Sequence, residues 1–263
     1  MASDTFYKDH WMEIEPERLD RYEKMFQWSP ANDRLLEPAQ IASGQVVADF
    51  GCGPGAMAVE LARQVGPEGH VHAMDLNAEF VARARAKAEA EGLSDRVTVH
   101  HLTGTGLPLA DDALDRLVAK NVMVYVDDPL ATFGEFRRVV KPGGKVHAID
   151  SDFATIIVEP VPLAQWRAFV EAASHAFRTP LIGRRMFGIA RQAGFAGVEV
   201  RVVTNPDTEG RYANLVRNLA GYARERGRLD EAEIQAVLAI VEGALKDGTF
   251  FAINPQFLVT ATV

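Results

Sequence analysis

The stretch VVADFGCGPGAMAVELA, residues 46–62, sets an apolar run against three glycines, Gly51, Gly53 and Gly55, with a carboxylate, Asp49, just ahead of them. A glycine-rich turn from a strand into a helix brings backbone N–H groups close to a ligand. On spacing alone, Gly51, Gly53 and Ala56 also satisfy the loose dinucleotide pattern with alanine in the third place, and a tight turn with no ligand reads the same way. Three neighbours sharpen the chemistry. Asp49 stands at the carboxyl end of a predicted strand, where open α/β sheets place their ligands; a carboxylate there favours a cation and sits poorly beside a pyrophosphate. Asp75 ends a second predicted strand, where an acid accepts hydrogen bonds from two ribose hydroxyls. Pro54 stiffens the loop and removes a donor that a phosphate cradle would want. The ligand implied is a nucleoside with a ribose and a positively charged tail. S-adenosylmethionine has these parts: adenosine, a sulfonium and an α-ammonium.

The elements that must position these groups are legible in the patterning. Residues 45–50 read as a short β-branched strand and 56–65 as a helix with Val59, Leu61, Ala62 and Val65 on its buried side, ended by GPEG. A strand over 70–75, a strong helix former over 78–91 closed by Gly92, and an alternating strand over 96–102 follow. Strand four is expected near 115–122, a helix over 127–140, and strand five in KVHAID after the KPGG turn. Such alternation predicts an α/β fold: a Rossmann-like, seven-stranded, mostly parallel sheet with helices on both faces and added lid helices. Helices are expected over 162–177 and 183–193, a sixth strand over 197–203, and mainly helix over 206–247. The closing FFAINPQFLVTATV is expected as a seventh strand, interrupted by Pro255 at a bulge or an entry from a sheet edge. The domain reading is a helical lid over 1–44, a cofactor-binding core over 45–205, a helical insertion over 206–249 and the final core strand over 250–263.

Composition bounds the rest. The chain has 263 residues, 48% of them hydrophobic, and a formal net charge of −8, enough for a sizeable core and opposed to a nucleic-acid partner. The lone cysteine, Cys52, leaves no intrachain disulfide and fits a reducing cytoplasm. A charged, aromatic N-terminus without an apolar core, and no run of membrane-spanning length, predict a cytoplasmic protein without a membrane partner. The expected partner is a small molecule, and the composition is also compatible with a homo-oligomer.

VVADFGCGPG, the strand end at Asp75, LPLADDALDRLVAKNV and KPGGKVHAID together resemble the class I S-adenosylmethionine-dependent methyltransferases, in the branch similar to the quinone-biosynthesis C-methyltransferases and many natural-product methyltransferases. The resemblance covers roughly residues 40–200 and the last strand. It implies that Asp49, Gly51, Gly53 and Gly55 face the methionine part of the cofactor, that Asp75 binds the ribose, and that Leu76 lies against the adenine. Where the family carries an acid after strand three, this chain has Thr103 followed by Gly104. Asn121, just past strand four, matches the place whose backbone carbonyl meets the methionine ammonium.

Methyl transfer is an in-line displacement with a good, neutral leaving group, so alignment is the main requirement; a base is needed only if the acceptor must lose a proton. Candidates for the acceptor side are Met123, Tyr125, Asp150, Ser151, Asp152 and Phe153 after strands four and five, and a lid of Tyr7, Trp11, Phe26 and Trp28 with His10. His10 and Asp152 are the candidate catalytic residues; Tyr7, Trp11, Met123, Tyr125 and Phe153 the candidate acceptor contacts. Against these stand packing roles for the aromatics, a surface role for His10 and a cap role for Asp152. Arg178, Arg184 and Arg185 either greet an acidic acceptor or form a solvated helix face. A metal is not expected: Asn121, Asp150 and Asp152 match a divalent-cation set only in part. The expected activity is methyl transfer to a small, partly apolar molecule at oxygen, nitrogen or carbon. The alternatives are a nicotinamide oxidoreductase, or a non-methylating protein such as a cyclase on the same fold.

Overall fold

The computed structural model describes residues 5–12, 14, 16–25, 27–104 and 106–263. Short helices α1 (Phe6–Met12), α2 (Pro16–Met25) and α3 (Asp33–Leu36) lead into β1 (Val46–Phe50). Then come α4 (Ala56–Val65), β2 (His70–Asp75), α5 (Ala78–Ala90), β3 (Val97–His101), β4 (Leu114–Lys120), α6 (Pro129–Val139) and β5 (Val140–Ser151). The second half adds β6 (Ile157–Glu159), α7 (Leu163–Ala173), α8 (Ile182–Gln192), β7 (Gly197–Val203), α9 (Ala213–Glu225), α10 (Glu231–Asp247), β8 (Phe251–Ile253) and β9 (Gln256–Thr262).

Seven strands form one sheet in the order β3-β2-β1-β4-β5-β9-β7. The β1–β2, β1–β4, β2–β3 and β4–β5 pairs are parallel, while β9 runs antiparallel to both β5 and β7. Strand order reverses about β1, so the crevice at its carboxyl end, between the tips of β1, β2 and β4, is where a doubly wound sheet takes its ligand.

Both faces are covered, and the strands read as continuous apolar runs for that reason. On β1, Val47 joins a cluster with Leu35, Leu61, Val71 and Val118 under α3, α4 and α5, while Ala48 joins the larger cluster of Phe133, Phe136, Phe169, Leu219 and Val237 under the later helices. A third cluster, Leu19, Tyr22 and Phe80 with Trp11 packed against it, seats α2 on α5. Arg83 on α5 reinforces it through ion pairs to Asp20 and Glu23.

One expectation is corrected. The closing segment is two strands: β8 pairs with β6 in a separate ribbon, and Pro255 marks the step from that ribbon into the main sheet. β9 then enters between β5 and β7, so β7 is the edge strand. Hydrophobicity marked both segments, yet ribbon pairing through β6, three residues long and far away in sequence, left no local signal.

Candidate functional site

The glycine loop is built for close packing. Gly51 and Gly55 have φ of 74° and 87°, values that disfavour a side chain. A Cβ at Gly51 would lie 2.6 Å from Val122 Cγ2, and one at Gly55 would lie 2.8 Å from the backbone of Ala84 on α5. Its amides are turned inward. Gly51 N and Cys52 N donate to the Met74 carbonyl at 2.8 and 2.9 Å, Gly53 N to Asp75 Oδ2 at 2.8 Å, and Gly55 N to the Cys52 carbonyl at 3.1 Å, while Pro54 has no N–H. From Gly51 to Gly55 the loop therefore offers no spare N–H to a phosphate. Sequence reasoning predicted bare donors facing a ligand, and here the structure differs: the donors brace the loop against β2.

Two carboxylates flank this loop in opposite ways. Asp75 is 9% exposed. Its Oδ2 accepts from Gly53 N and its Oδ1 from Asn77 N at 2.9 Å, which leaves a lone pair on each oxygen for a further donor. Burial raises its pKa against those hydrogen bonds. Asp49 is fully buried, and neither of its oxygens has a hydrogen-bond partner among the described residues. Burial, then the neighbouring Asp75 charge, push its pKa up to about 8, with the Lys120 ammonium pulling the other way. Burying an unpaired carboxylate is costly enough that the group holds a proton unless a cation joins it. Lys120, at the tip of β4, is itself lowered by burial and feels both Asp150 and Asp49.

The remaining cofactor candidates line the strand tips. Asn121 follows β4 in a left-handed conformation (φ 56°) and donates its N–H to the Ile149 carbonyl at 2.8 Å; Asn tolerates that region better than most residues. Leu76 is half-buried, and Thr103 and Gly104 are exposed after β3. His101 Nε2 lies 3.0 Å from the Leu76 carbonyl, which ties the β2 and β3 tips together. Sequence reasoning gave His101 no part in the site, because a strand histidine carries no sign of its cross-strand partner.

The N-terminal helix crosses the crevice. Asn77, 2% exposed, caps α5 by accepting from Phe80 N at 2.8 Å. Its Nδ2 donates to the carbonyls of Trp11 and Met12 at 2.7 and 3.2 Å, at the end of α1. α1 then inserts into an aromatic cluster. The Trp11 ring lies 5.1 Å from Tyr125, His10 lies 5.9 Å from Tyr125 and 5.5 Å from Tyr222, and Phe6 lies 5.1 Å from His175. Phe177 joins Phe153 at 4.1 Å and Tyr125 at 5.7 Å. His10, Trp11, Tyr125 and Phe153 are thus brought into one neighbourhood. Met123 is fully buried in the same turn as Tyr125, Met123–Tyr125. Tyr7 turns elsewhere: its hydroxyl donates to Asp127 and the Arg178 guanidinium lies 5.6 Å over its ring, pinning α1 to the segment after β4. Trp28 donates to Asp33 at 3.0 Å and packs against the α4 side of the sheet, away from the cluster. Phe26 lies outside the described residues.

The acids after β5 are engaged. Asp152 is fully buried and held by Arg184, whose Nη2 meets Oδ1 at 3.0 Å and whose Nε meets Oδ2. It also accepts from Ala154 N as a cap, so a base role would first have to break this pair. Asp150 accepts from Ser151 N at 2.8 Å and Val124 N at 3.1 Å, and burial raises its pKa to about 7. His147 bridges the Leu35 carbonyl and Thr260 Oγ1 in the core at 2.7 and 2.8 Å, and burial raises the Cys52 thiol well above its usual value. Among the described residues, no group of three or more His, Cys, Asp or Glu is placed to hold a metal ion, and no helix is long and apolar enough to cross a membrane.

Residues 47–144 match a family model described as a methyltransferase domain. The chain is 30% identical over 230 residues to an uncharacterized 37.1 kDa protein in transposon TN4556 of Streptomyces fradiae, covering 86% of this chain and 65% of that one. It is 34% identical over 134 residues to the methyltransferase GfsG of Streptomyces halstedii, covering 48% of each. The chain thus spans between about half and two thirds of the length of these relatives. A crystal structure of an S-adenosylmethionine-dependent methyltransferase from Aquifex aeolicus shares the fold at a TM-score of 0.55 and 23% identity, covering 73% of this chain and 93% of that one. A doubly wound sheet with its loop amides folded inward, a buried acid without a partner among the described residues, and these matches agree: residues 47–144 carry a methyltransferase domain.

Proposed function

We propose that the chain transfers a methyl group from S-adenosylmethionine to a small, partly apolar molecule. The observation that carries this reading is Asp49: a buried carboxylate without a hydrogen-bond partner among the described residues, beside a loop whose amides from 51 to 55 are already spent. Such a site fits a cationic nucleoside and disfavours a diphosphate. In this reading Asp49 balances the cofactor's positive end, Asp75 takes the ribose hydroxyls with its remaining lone pairs, and Leu76, Thr103 and Gly104 border the adenine. The Asn121 carbonyl meets the ammonium. When bound, the cofactor supplies a methyl carbon on a sulfonium. The chain's own residues hold the acceptor in line and keep water out, and positioning of this kind lowers barriers by roughly 7–11 kcal/mol in favourable cases.

The acceptor side is the aromatic cluster around Tyr125, covered by α1. Of the 1–44 segment α1 acts as its lid, whereas α3 packs under the sheet with Leu35; the helices of the 206–249 insertion form its far wall, and the partner is a small molecule. Calorimetry with S-adenosylhomocysteine and with NAD tests the cofactor reading: uptake of the first and not the second is expected, and the reverse overturns it. Turnover of labelled methyl into an acceptor panel separates methyl transfer from a non-methylating activity such as cyclisation.

A further inference from the structure

One side chain in the aromatic cluster has an unsatisfied polar atom with a defined chemical state. His10 Nδ1 lies against the Phe6 carbonyl, which can only accept, so the proton sits on Nδ1 and Nε2 presents a bare lone pair. That Nε2 is buried and has no hydrogen-bond partner among the described residues, on a residue only 6% exposed. An unpartnered acceptor is costly in a buried place. Aromatic rings surround it: Phe6 stacks on the imidazole at 4.9 Å and 16°, and Trp11, Tyr125 and Tyr222 lie within 6 Å of it, edge-on or tilted. A polar cavity of about 230 Å³ between α2 and α9 shares Arg18, Tyr22 and Tyr222 with this neighbourhood.

We propose that His10 Nε2 is the general base for an acceptor that carries a phenolic or enolic hydroxyl on a planar ring. This inference rests on the methyltransferase reading and names the acceptor class for it. The flat walls select a ring, and the lone pair selects an O–H donor over an ether or a hydrocarbon. The acceptor oxygen bonds the methyl carbon as the carbon–sulfur bond breaks with both electrons kept by sulfur, and the hydroxyl proton passes to Nε2. The positive charge that leaves the sulfonium passes with that proton to the imidazole and, because burial disfavours the charged ring, on to solvent. Burial lowers the His10 pKa to about 4, so the ring is neutral and its lone pair available across the neutral range. The titratable and charged groups around it are Asp9 on its own helix, Arg18 on α2, Tyr125 after β4, His175 beside Phe6, and Tyr222 on α9.

The test compares wild type with His10→Phe, which keeps a flat ring and removes the acceptor atom, and with His10→Gln. Each is first titrated with S-adenosylhomocysteine; absent binding in the wild type indicts the methyltransferase reading, whereas equal binding in all three shows the cofactor side intact. The loaded proteins are then titrated with 2-naphthol and 2-methoxynaphthalene. Wild type should bind the naphthol about tenfold tighter, and His10→Phe should lose that preference, as expected for one hydrogen bond. In 15N-labelled wild type the His10 Nε2 resonance should move when naphthol is added and stay put with the ether. Labelled methyl transfer to the naphthol should fall at least 100-fold in both variants. A wild type without hydroxyl preference, a preference surviving in His10→Phe, an unmoved Nε2 resonance, or a 2-naphthylamine rate exceeding that of naphthol and indifferent to His10 would each overturn the assignment.

Discussion

Asn77 Nδ2 lies 2.7 Å from the Trp11 carbonyl while Asn77 Oδ1 lies 2.8 Å from Phe80 N, so one side chain both caps α5 and fastens α1 across the crevice. The backbone N–H of the same residue feeds Asp75. Asp75, the α5 cap and the anchor of α1 therefore meet within residues 75–77. Asn77→Asp separates these roles, because aspartate still accepts from Phe80 N but cannot donate to Trp11. We expect stability to fall by about 1–3 kcal/mol, because the new carboxyl faces two carbonyls in a buried place, while amide exchange over residues 6–12 accelerates at least tenfold. Unchanged exchange in that helix would separate Asn77 from the cover.

Asp49→Asn should split stability from binding. At neutral pH the buried carboxyl must take up a proton to fold, which asparagine need not, so the protein without cofactor should melt higher, by roughly 2–4 °C for each kcal/mol relieved. Affinity for S-adenosylhomocysteine should fall at least tenfold, because the partner of its ammonium is gone. Calorimetric titration and thermal melts check the two halves; equal affinity in both proteins counts against Asp49 as the cation's partner.

The same carboxyl makes binding pH-dependent. Its folded pKa of about 8 lies above the ordinary 3.8, so its contribution to stability is complete below pH 3.8 and is lost as pH rises through 8. A cation placed beside it drives the proton off. Affinity for S-adenosylhomocysteine should therefore rise between about pH 6 and 8, with proton release seen as a binding enthalpy that depends on buffer ionisation. An enthalpy independent of buffer at pH 7 would refute the coupling.

Histidines set the acid side. His72, whose Nδ1 lies 3.0 Å from His100 Nε2, and core His147 are both lowered by burial to about 4. Their folded values lie below the ordinary 6.5, so the stability they allow is present above 6.5 and is lost as pH falls toward 4. This loss opposes the gain from Asp49 over the same window, so the test is a difference: relative to wild type, His72→Leu should gain melting temperature as pH falls from 6.5 to 4. A constant difference between the two proteins across that window would show that the His72 ring does not resist protonation.

Asp152 offers a test of structure against catalysis. Arg184→Met leaves its buried carboxylate unpaired and should cost about 1–3 kcal/mol, a range reduced because the Arg184 side chain is half exposed. The double variant with Asp152→Asn should recover most of that loss and retain turnover within about threefold. If Asp152→Asn alone abolishes turnover and leaves the melt unchanged, Asp152 is a base after all.

Much of the fold stood in the chain's patterning because its information is local. Val46–Phe50, Ala56–Val65 and His70–Asp75 carry period, caps and glycine stops within their own residues. Asp49 could be named because a glycine turn fixes where its strand ends, and Asp75 because a strand pattern stops there and a helix pattern starts at Ala78. What escaped is long-range pairing: Asn77 with Trp11, His101 with Leu76, Asp152 with Arg184. The inward turn of the loop amides escaped too, since donors look alike in a sequence whether a carbonyl or a ligand receives them.

The placement of β9 between β5 and β7 bears on how the molecule is made. Until residues 256–262 emerge during synthesis, the flank of β5 and the whole of β7 have no neighbour to saturate their ladders, and His147 lacks its Thr260 contact. Closure of the barrier between these sticky rims is consequently a late, non-local event. A nascent chain halted before that point presents two open ribbons to chaperones, and to copies of itself.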